Sequence, residues 1–112
     1  MTAQPAAALD TLDIERLRRG YREGSLDPVS VAERCLARID TQDPALRAFI
    51  TISRSRAIAD ATASRERWRA GHPLSPCDGI PIAIKDNIDV AGLPCTAGTA
   101  AFRERIATED AL

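Results

Sequence analysis

Lysine occurs once in this sequence. Of its 15 basic residues, fourteen are arginine, and only position 85 is lysine. Lys85 closes the apolar run Ile80-Pro81-Ile82-Ala83-Ile84 and precedes Asp86-Asn87. Arginine and lysine differ in one respect that matters to chemistry: arginine stays charged, whereas lysine gives up its proton when desolvated. Burial lowers a lysine pKa by up to ~3–5 units, and a neutral amine near pH 7 is a usable general base. A second reading stands beside this one. Lys85 reads equally as a strand-end lysine whose stem lies on the core and whose ammonium pairs with Asp86 or Asp89. Adjacent acids favour the protonated amine, so the base reading requires their carboxylates to point elsewhere. Spacing alone leaves both readings open.

Other residue sets compete weakly. His72 is the only histidine, and Cys35, Cys77 and Cys95 show no C-x-x-C spacing, so neither a metal site nor a disulfide is expected. Cys35 falls on an apolar helix face and reads as core. Cys95 has no histidine in its segment to activate it as a nucleophile. The serines (Ser25, Ser30, Ser53, Ser55, Ser64 and Ser75) include none set between glycines. No cofactor is expected.

The elements that would position Lys85 follow from periodicity. Asp10 or Thr11 is placed to cap a first helix with Ile14, Leu17 and Tyr21 on one face, and Gly20 and Gly24 bracket its end. Asp27-Pro28 starts a second helix: the carboxylate accepts from free N–H groups, and proline suits the first helical position. Val29, Ala32, Cys35, Leu36 and Ile39 then give one buried stripe, ending before Asp43-Pro44. Residues 48–52, Ala-Phe-Ile-Thr-Ile, read as a short strand. A third helix is expected from about Ser55 to Ala70, with Ala57, Ala61, Ser64 and Trp68 on one face and Gly71 and Pro73 as its stop. Trp68 reads as packing. The apolar run Ile80 to Ile84 reads as a strand covered on both faces, with Pro81 at its start or on an edge. Residues 1–9 read as a flexible tail and 10–112 as one domain. Thr108-Glu109-Asp110 reads as a helix start. The sequence stops at Leu112 before one turn is complete, so the expectation is a partial domain.

Composition narrows the classes. At 45% hydrophobic and 28% charged residues, the chain is composed like a soluble globular protein, not a disordered one. Acids and bases interleave to a net charge of −1, leaving no basic stripe for a phosphate backbone. The aromatic residues Tyr21, Phe49, Trp68 and Phe102 offer little surface for stacking bases. Neither nucleic acid nor membrane is an expected partner, and a cytoplasmic location is expected.

The segment Gly79-Ile80-Pro81-Ile82-Ala83-Ile84-Lys85-Asp86-Asn87, continued by Ile88-Asp89-Val90-Ala91-Gly92-Leu93-Pro94-Cys95-Thr96-Ala97-Gly98-Thr99, resembles the lysine segment of the amidase signature family. Ala37-Arg38-Ile39-Asp40 and Asp43-Pro44-Ala45-Leu46-Arg47-Ala48-Phe49 resemble the family's N-terminal helices and its link to the first strand. The resemblance implies an α/β fold, a mixed sheet flanked by helices, of which this chain holds the N-terminal helices and first strands. It also implies amide hydrolysis by a lysine, a serine held by a cis peptide bond and a nucleophilic serine in a Gly/Ser-rich loop. Lys85 would be the lysine. The loop is not in this sequence, so the chain alone is expected to be inactive. Cys95-Thr96 and Gly98-Thr99 stand where members often have Thr-Thr and Gly-Ser. The implied partner is a small-molecule amide, and a homo-oligomer is compatible. Within the family, the run from Asp86 to Gly92 is closer to general amidases and allophanate hydrolases than to the A chain of the amidotransferases. Outside it, the alternative is a non-catalytic helical interaction module.

Overall fold

The structure, a computed structural model, describes residues 12–112. Three α-helices run in order, α1 (Ile14–Glu23), α2 (Pro28–Leu46) and α3 (Arg54–Arg69), followed by a 3-10 turn at Ala100–Phe102. The described residues form two compact units. One holds residues 12–46 and 54–81, and the other holds Arg47–Ser53 and Ile82–Leu112. The expected tail at residues 1–9 lies outside the described residues, as do the expected caps Asp10 and Thr11.

In the helical unit, Asp13 caps α1, its carboxylate accepting from the Arg16 N–H at 2.8 Å, and Gly24 closes the helix. Leu17 and Tyr21 are buried as the periodicity requires, whereas Ile14 is exposed. Gly20 does not end the helix. It lies buried within it, where a Cβ would sit 2.4 Å from Leu26 Cδ1, so the absent side chain is what lets Leu26 fold back onto α1. Asp27 starts α2 as expected, its Oδ1 accepting from Val29 N–H at 2.7 Å.

The second helix does not stop before Asp43-Pro44. It carries through Pro44 to Leu46 and ends at Arg47, which takes a left-handed φ of 50°. Near the end of a helix, the donor that proline lacks costs at most a single bond, so the last turn tolerates it although Leu46 stays exposed. α2 and α3 pack on one another. The core is Leu17, Tyr21 and Val31, ringed by Leu12, Leu26, Cys35, Trp68 and Ile80. Tyr21 and Trp68 meet as tilted rings 6.1 Å apart. Val31, only 1% exposed, is the most deeply buried apolar residue and lay off the expected stripe.

Neither expected strand is formed among the described residues. Residues 48–52 and 80–84 have no ladder, and Ile50, Ile52, Ile82 and Ile84 are exposed. A strand exists only against a partner, and a single apolar run has none to pair with here. Only an isolated antiparallel bridge, Pro94 to Ile106, is present among the described residues. Thr108 likewise starts no helix. The chain bends there, the Asp110 carboxylate accepts from Ala91 N–H at 2.8 Å, and Ala111 N–H bonds to the Asp89 carbonyl. Less than a turn cannot repay helix nucleation.

Candidate functional site

The segment leading to the lysine begins on the helical unit, where two residues are held by three side chains. Asp78 is buried and takes a two-pronged bond from Arg67, Nε to Oδ2 and NH2 to Oδ1, both 2.7 Å. Oδ2 also accepts from Leu74 N–H at 2.9 Å. The Asp78 carbonyl accepts from the Trp68 indole N–H at 2.9 Å, and the next carbonyl, Gly79 O, accepts from the Tyr21 hydroxyl at 2.9 Å. Trp68 and Tyr21 therefore pack, as their spacing signalled, and also carry bonds, which spacing did not signal. Burial raises the Tyr21 phenol well above its ordinary range, with the nearby Cys35 and Asp27 adding to it, so this hydroxyl stays a donor.

The Arg67 guanidinium, with help from the Leu74 N–H, holds the Asp78 carboxyl well below the usual carboxylate range despite burial. A carboxyl depressed in the folded state stabilises fully above its unfolded pKa of about 4 and loses that contribution as pH falls below it. Asp78→Asn is expected to cost about 2 kcal/mol at pH 7. That is less than a fully buried pair would lose, because Arg67 keeps part of its surface in water. The gap between the two proteins is expected to narrow as pH falls toward 2. Urea titrations at pH 7 and pH 3 measure it, and a variant as stable as its parent at pH 7 contradicts it.

The second unit carries Lys85. Its side chain is exposed, so the drying that would free its proton is not provided by the described residues. Its carbonyl closes a turn by accepting from Ile88 N–H at 3.0 Å. The two acids that follow are both engaged elsewhere. Asp86 Oδ1 accepts from Thr96 N–H at 3.0 Å, and Oδ2 accepts from the Thr96 hydroxyl and from Gly98 N–H. Asp89 is clasped by Arg105, NH1 to Oδ1 at 2.7 Å and NH2 to Oδ2 at 2.9 Å. The pairing of Lys85 with Asp86 or Asp89 is therefore not what forms; among the described residues no carboxylate makes an ion pair with it.

Both acids are depressed by these partners: Asp86 by the Thr96 hydroxyl and then the Thr96 and Gly98 N–H groups, and Asp89 by Arg105, down to about 2. The same arrangement disarms Cys95, which is 5% exposed and whose thiol is pushed up chiefly by the nearby Asp89 carboxylate and then by burial. A thiol raised in this way is a poor nucleophile. All three cysteines are free.

Backbone pairing completes the unit. Gly92 N–H bonds to Ala107 O at 2.8 Å, Ala107 N–H to Leu93 O at 3.0 Å and Cys95 N–H to Arg105 O at 3.1 Å. Spacing did not single out Arg105, because one arginine among fourteen looks like the rest. Asp86 with Thr96 and Gly98 had a fainter signal, an acid followed by a hydroxyl-and-glycine turn, the chemistry by which carboxylates collect backbone donors. Among the described residues no group of three or more His, Cys, Asp or Glu side chains is placed to hold a metal ion, and no helix is long and apolar enough to cross a membrane.

Comparison with known proteins places this geometry. In Chloroflexus aggregans, the A chain of glutamyl-tRNA(Gln) amidotransferase is 44% identical over 91 residues, covering 81% of this chain and 19% of that protein. Its namesake in Symbiobacterium thermophilum is 37% identical over 101 residues, covering 89% of this chain and 21% of its own. The mitochondrial one of Ornithorhynchus anatinus is 33% identical over 88 residues, covering 79% and 17%. This chain thus spans about a fifth of the length of the curated relatives it matches. These relatives carry the subclass name that the run from Asp86 to Gly92 disfavoured.

A solved structure, described as an unexpected vestigial protein complex that reveals the evolutionary origins of an s-triazine catabolic enzyme, superposes with a TM-score of 0.83 at 31% identity. The match covers 89% of this chain and 22% of that one. The family model for amidases matches residues 30–112, which takes in α3, the anchored Asp78-Gly79 and the whole lysine segment. Matched over that span, the chain belongs to the amidase signature family.

Proposed function

We propose that this chain is the lysine-bearing part of an amidase that hydrolyses a carbon–nitrogen amide bond in a small molecule. Lys85 acts as the base of a serine, cis-serine and lysine triad, and this chain supplies the lysine alone. The observation that carries the reading is the single lysine in the Gly79 to Asn87 segment, inside the span matched to the family, with both following acids bound to other partners. A neutral Lys85 draws a proton through the cis-serine and so activates the nucleophilic serine. That serine attacks the carbonyl, ammonia or an amine leaves, and water releases the acid from the acyl-enzyme. Backbone N–H groups of the glycine-rich loop hold the oxyanion.

The reading has a physical requirement. Lys85 is exposed in the described chain, as are Ile82, Ile84 and Ile88, which flank it in sequence. Cover over these isoleucines is what dries the amine, and the runs 48–52 and 80–84 become strands of the family's mixed sheet under the same cover. The exposed apolar groups support this reading, since they have no use in water.

The test is to trap the acyl-enzyme. The whole protein, incubated with an aliphatic amide and hydroxylamine, is expected to form the hydroxamate, because hydroxylamine attacks the ester carbonyl and returns the serine hydroxyl. Absence of hydroxamate across aliphatic and aromatic amides contradicts the reading. The name that the relatives carry favours a second reading within the same chemistry, part of an amidotransferase. Ammonia release from simple amides alone supports the hydrolase, and release that depends on added glutamyl-tRNA supports the transferase.

A further inference from the structure

We propose that Asp86 is a positioning residue, which grips residues 95–98 through both carboxylate oxygens and its own carbonyl, and so fixes the backbone on which Lys85 stands. The proposal rests on the reading of Lys85 as base.

Five contacts make the grip. The carboxylate accepts from Thr96 N–H at 3.0 Å, from the Thr96 hydroxyl and from Gly98 N–H at 3.4 Å. The Asp86 carbonyl accepts from Ala97 N–H at 2.8 Å and from the Cys95 thiol at 3.5 Å. Cys95 and Thr96 are among the few buried residues of their unit, so Asp86 bonds to its interior.

A separate observation agrees. Ala97 holds a left-handed φ of 51°, a conformation uncommon for a residue with a Cβ. The group receiving its N–H is the Asp86 carbonyl. A grip on one residue from carboxylate and carbonyl together leaves little freedom to the peptide that joins it to Lys85. It also commits the carboxylate to donors other than the neighbouring amine. Asp89 is committed likewise, by Arg105. A base displaced by about 1 Å loses on the order of 10²-fold in rate, so Asp86 acts through the place it gives Lys85.

The experiment has two arms. In the whole enzyme, Asp86→Asn is expected to lower kcat about 100-fold with KM changed by less than about threefold, because the loss falls on the chemical step. Thr96→Val, which keeps the shape and removes the hydroxyl, is expected to lose about tenfold. Thr96→Ser is expected to restore wild-type kcat, and adding Thr96→Val to Asp86→Asn is expected to cost nothing further. The second arm needs no activity. Alkylation followed cysteine by cysteine by mass spectrometry is expected to leave Cys95 protected in the parent chain and open in Asp86→Ala.

A Cys95 no more reactive in Asp86→Ala overturns the grip. An Asp86→Asn enzyme with wild-type kcat beside an inactive Lys85→Arg enzyme overturns the positioning role and leaves the base reading standing. Thr96→Ser as poor as Thr96→Val also overturns it. Full turnover by Lys85→Arg overturns the base reading, and the positioning role with it.

Discussion

Lys85→Arg is expected to lower kcat/KM of the whole amidase by about 10³-fold, the middle of the range that a general base contributes. Arginine keeps the length, the apolar stem and the charge of the side chain, so any role as a cation or as packing survives the change. What it cannot do is release a proton near neutral pH. Lys85 is exposed and makes no ion pair with a described carboxylate, so the substitution is expected to leave the stability of this chain within about 0.5 kcal/mol of its parent. The two measurements belong together. Lost turnover with an unchanged urea midpoint assigns the effect to proton transfer, whereas near-normal turnover removes Lys85 from the mechanism. Lys85→Ala with added small primary amines extends the test: rescue that follows the concentration of the neutral amine as pH is raised marks a missing base, whereas rescue that follows the ammonium marks a missing cation.

The neighbourhood of Lys85 shows how far residue types carry an argument. The lysine itself was legible because arginine is the default cation of this sequence and position 85 departs from it. The objection to it, that Asp86 and Asp89 would hold the amine charged, was legible too. Its resolution was not, because it depends on Thr96, Gly98 and Arg105, which lie ten to sixteen residues further along the chain. Nothing local in Asp89-Val90 announces a two-pronged bond to Arg105. Such pairs are made by the backbone pairing of residues 92–95 with 105–107, and that pairing has no periodic signal because it includes Pro94 and Gly92.

The helices divide in the same way. Asp27-Pro28 carries its own mechanism, a carboxylate acceptor followed by a residue without a donor, and the start of α2 falls there. The end of α2 differs from the expectation, because Pro44 does not stop the helix. Proline forbids a helix only where its missing N–H and its ring collide with a preceding turn that must stay intact, and α2 ends within three residues of it. The strands are not formed among the described residues for a different reason. An apolar run states that a segment needs cover, and it does not supply the neighbour. Ile80 shows the distinction: it packs against the helical core, while Ile82 and Ile84, two and four residues on, remain exposed.

Gly79→Ala is expected to destabilise the helical unit by about 4 kcal/mol. Two separable causes contribute. Gly79 holds φ at +85°, and a residue with a Cβ loses roughly 1–2 kcal/mol there. The new Cβ would also stand 2.4 Å from Ser64 Oγ and 3.2 Å from Pro28 Cβ, an overlap of the kind that costs about 1–3 kcal/mol when a packed interior must shift. Ser64 is 1% exposed on α3, and Pro28 is the buried first residue of α2, so neither is a flexible side chain free to swing aside. A shift of the backbone instead would loosen the Tyr21 bond to Gly79 O and the Trp68 bond to Asp78 O, which tie the start of the lysine segment to the helices.

Trp68, the only tryptophan of the chain, sits on this contact and reports unfolding directly. Removing the struck oxygen separates the causes. Measured against Ser64→Ala, the double variant Ser64→Ala/Gly79→Ala is expected to lose only about half as much, the part owed to the backbone conformation and to Pro28. A Gly79→Ala chain with an unchanged midpoint contradicts both causes, and a double variant that loses the full amount acquits Ser64 and leaves the cost with the left-handed turn and Pro28.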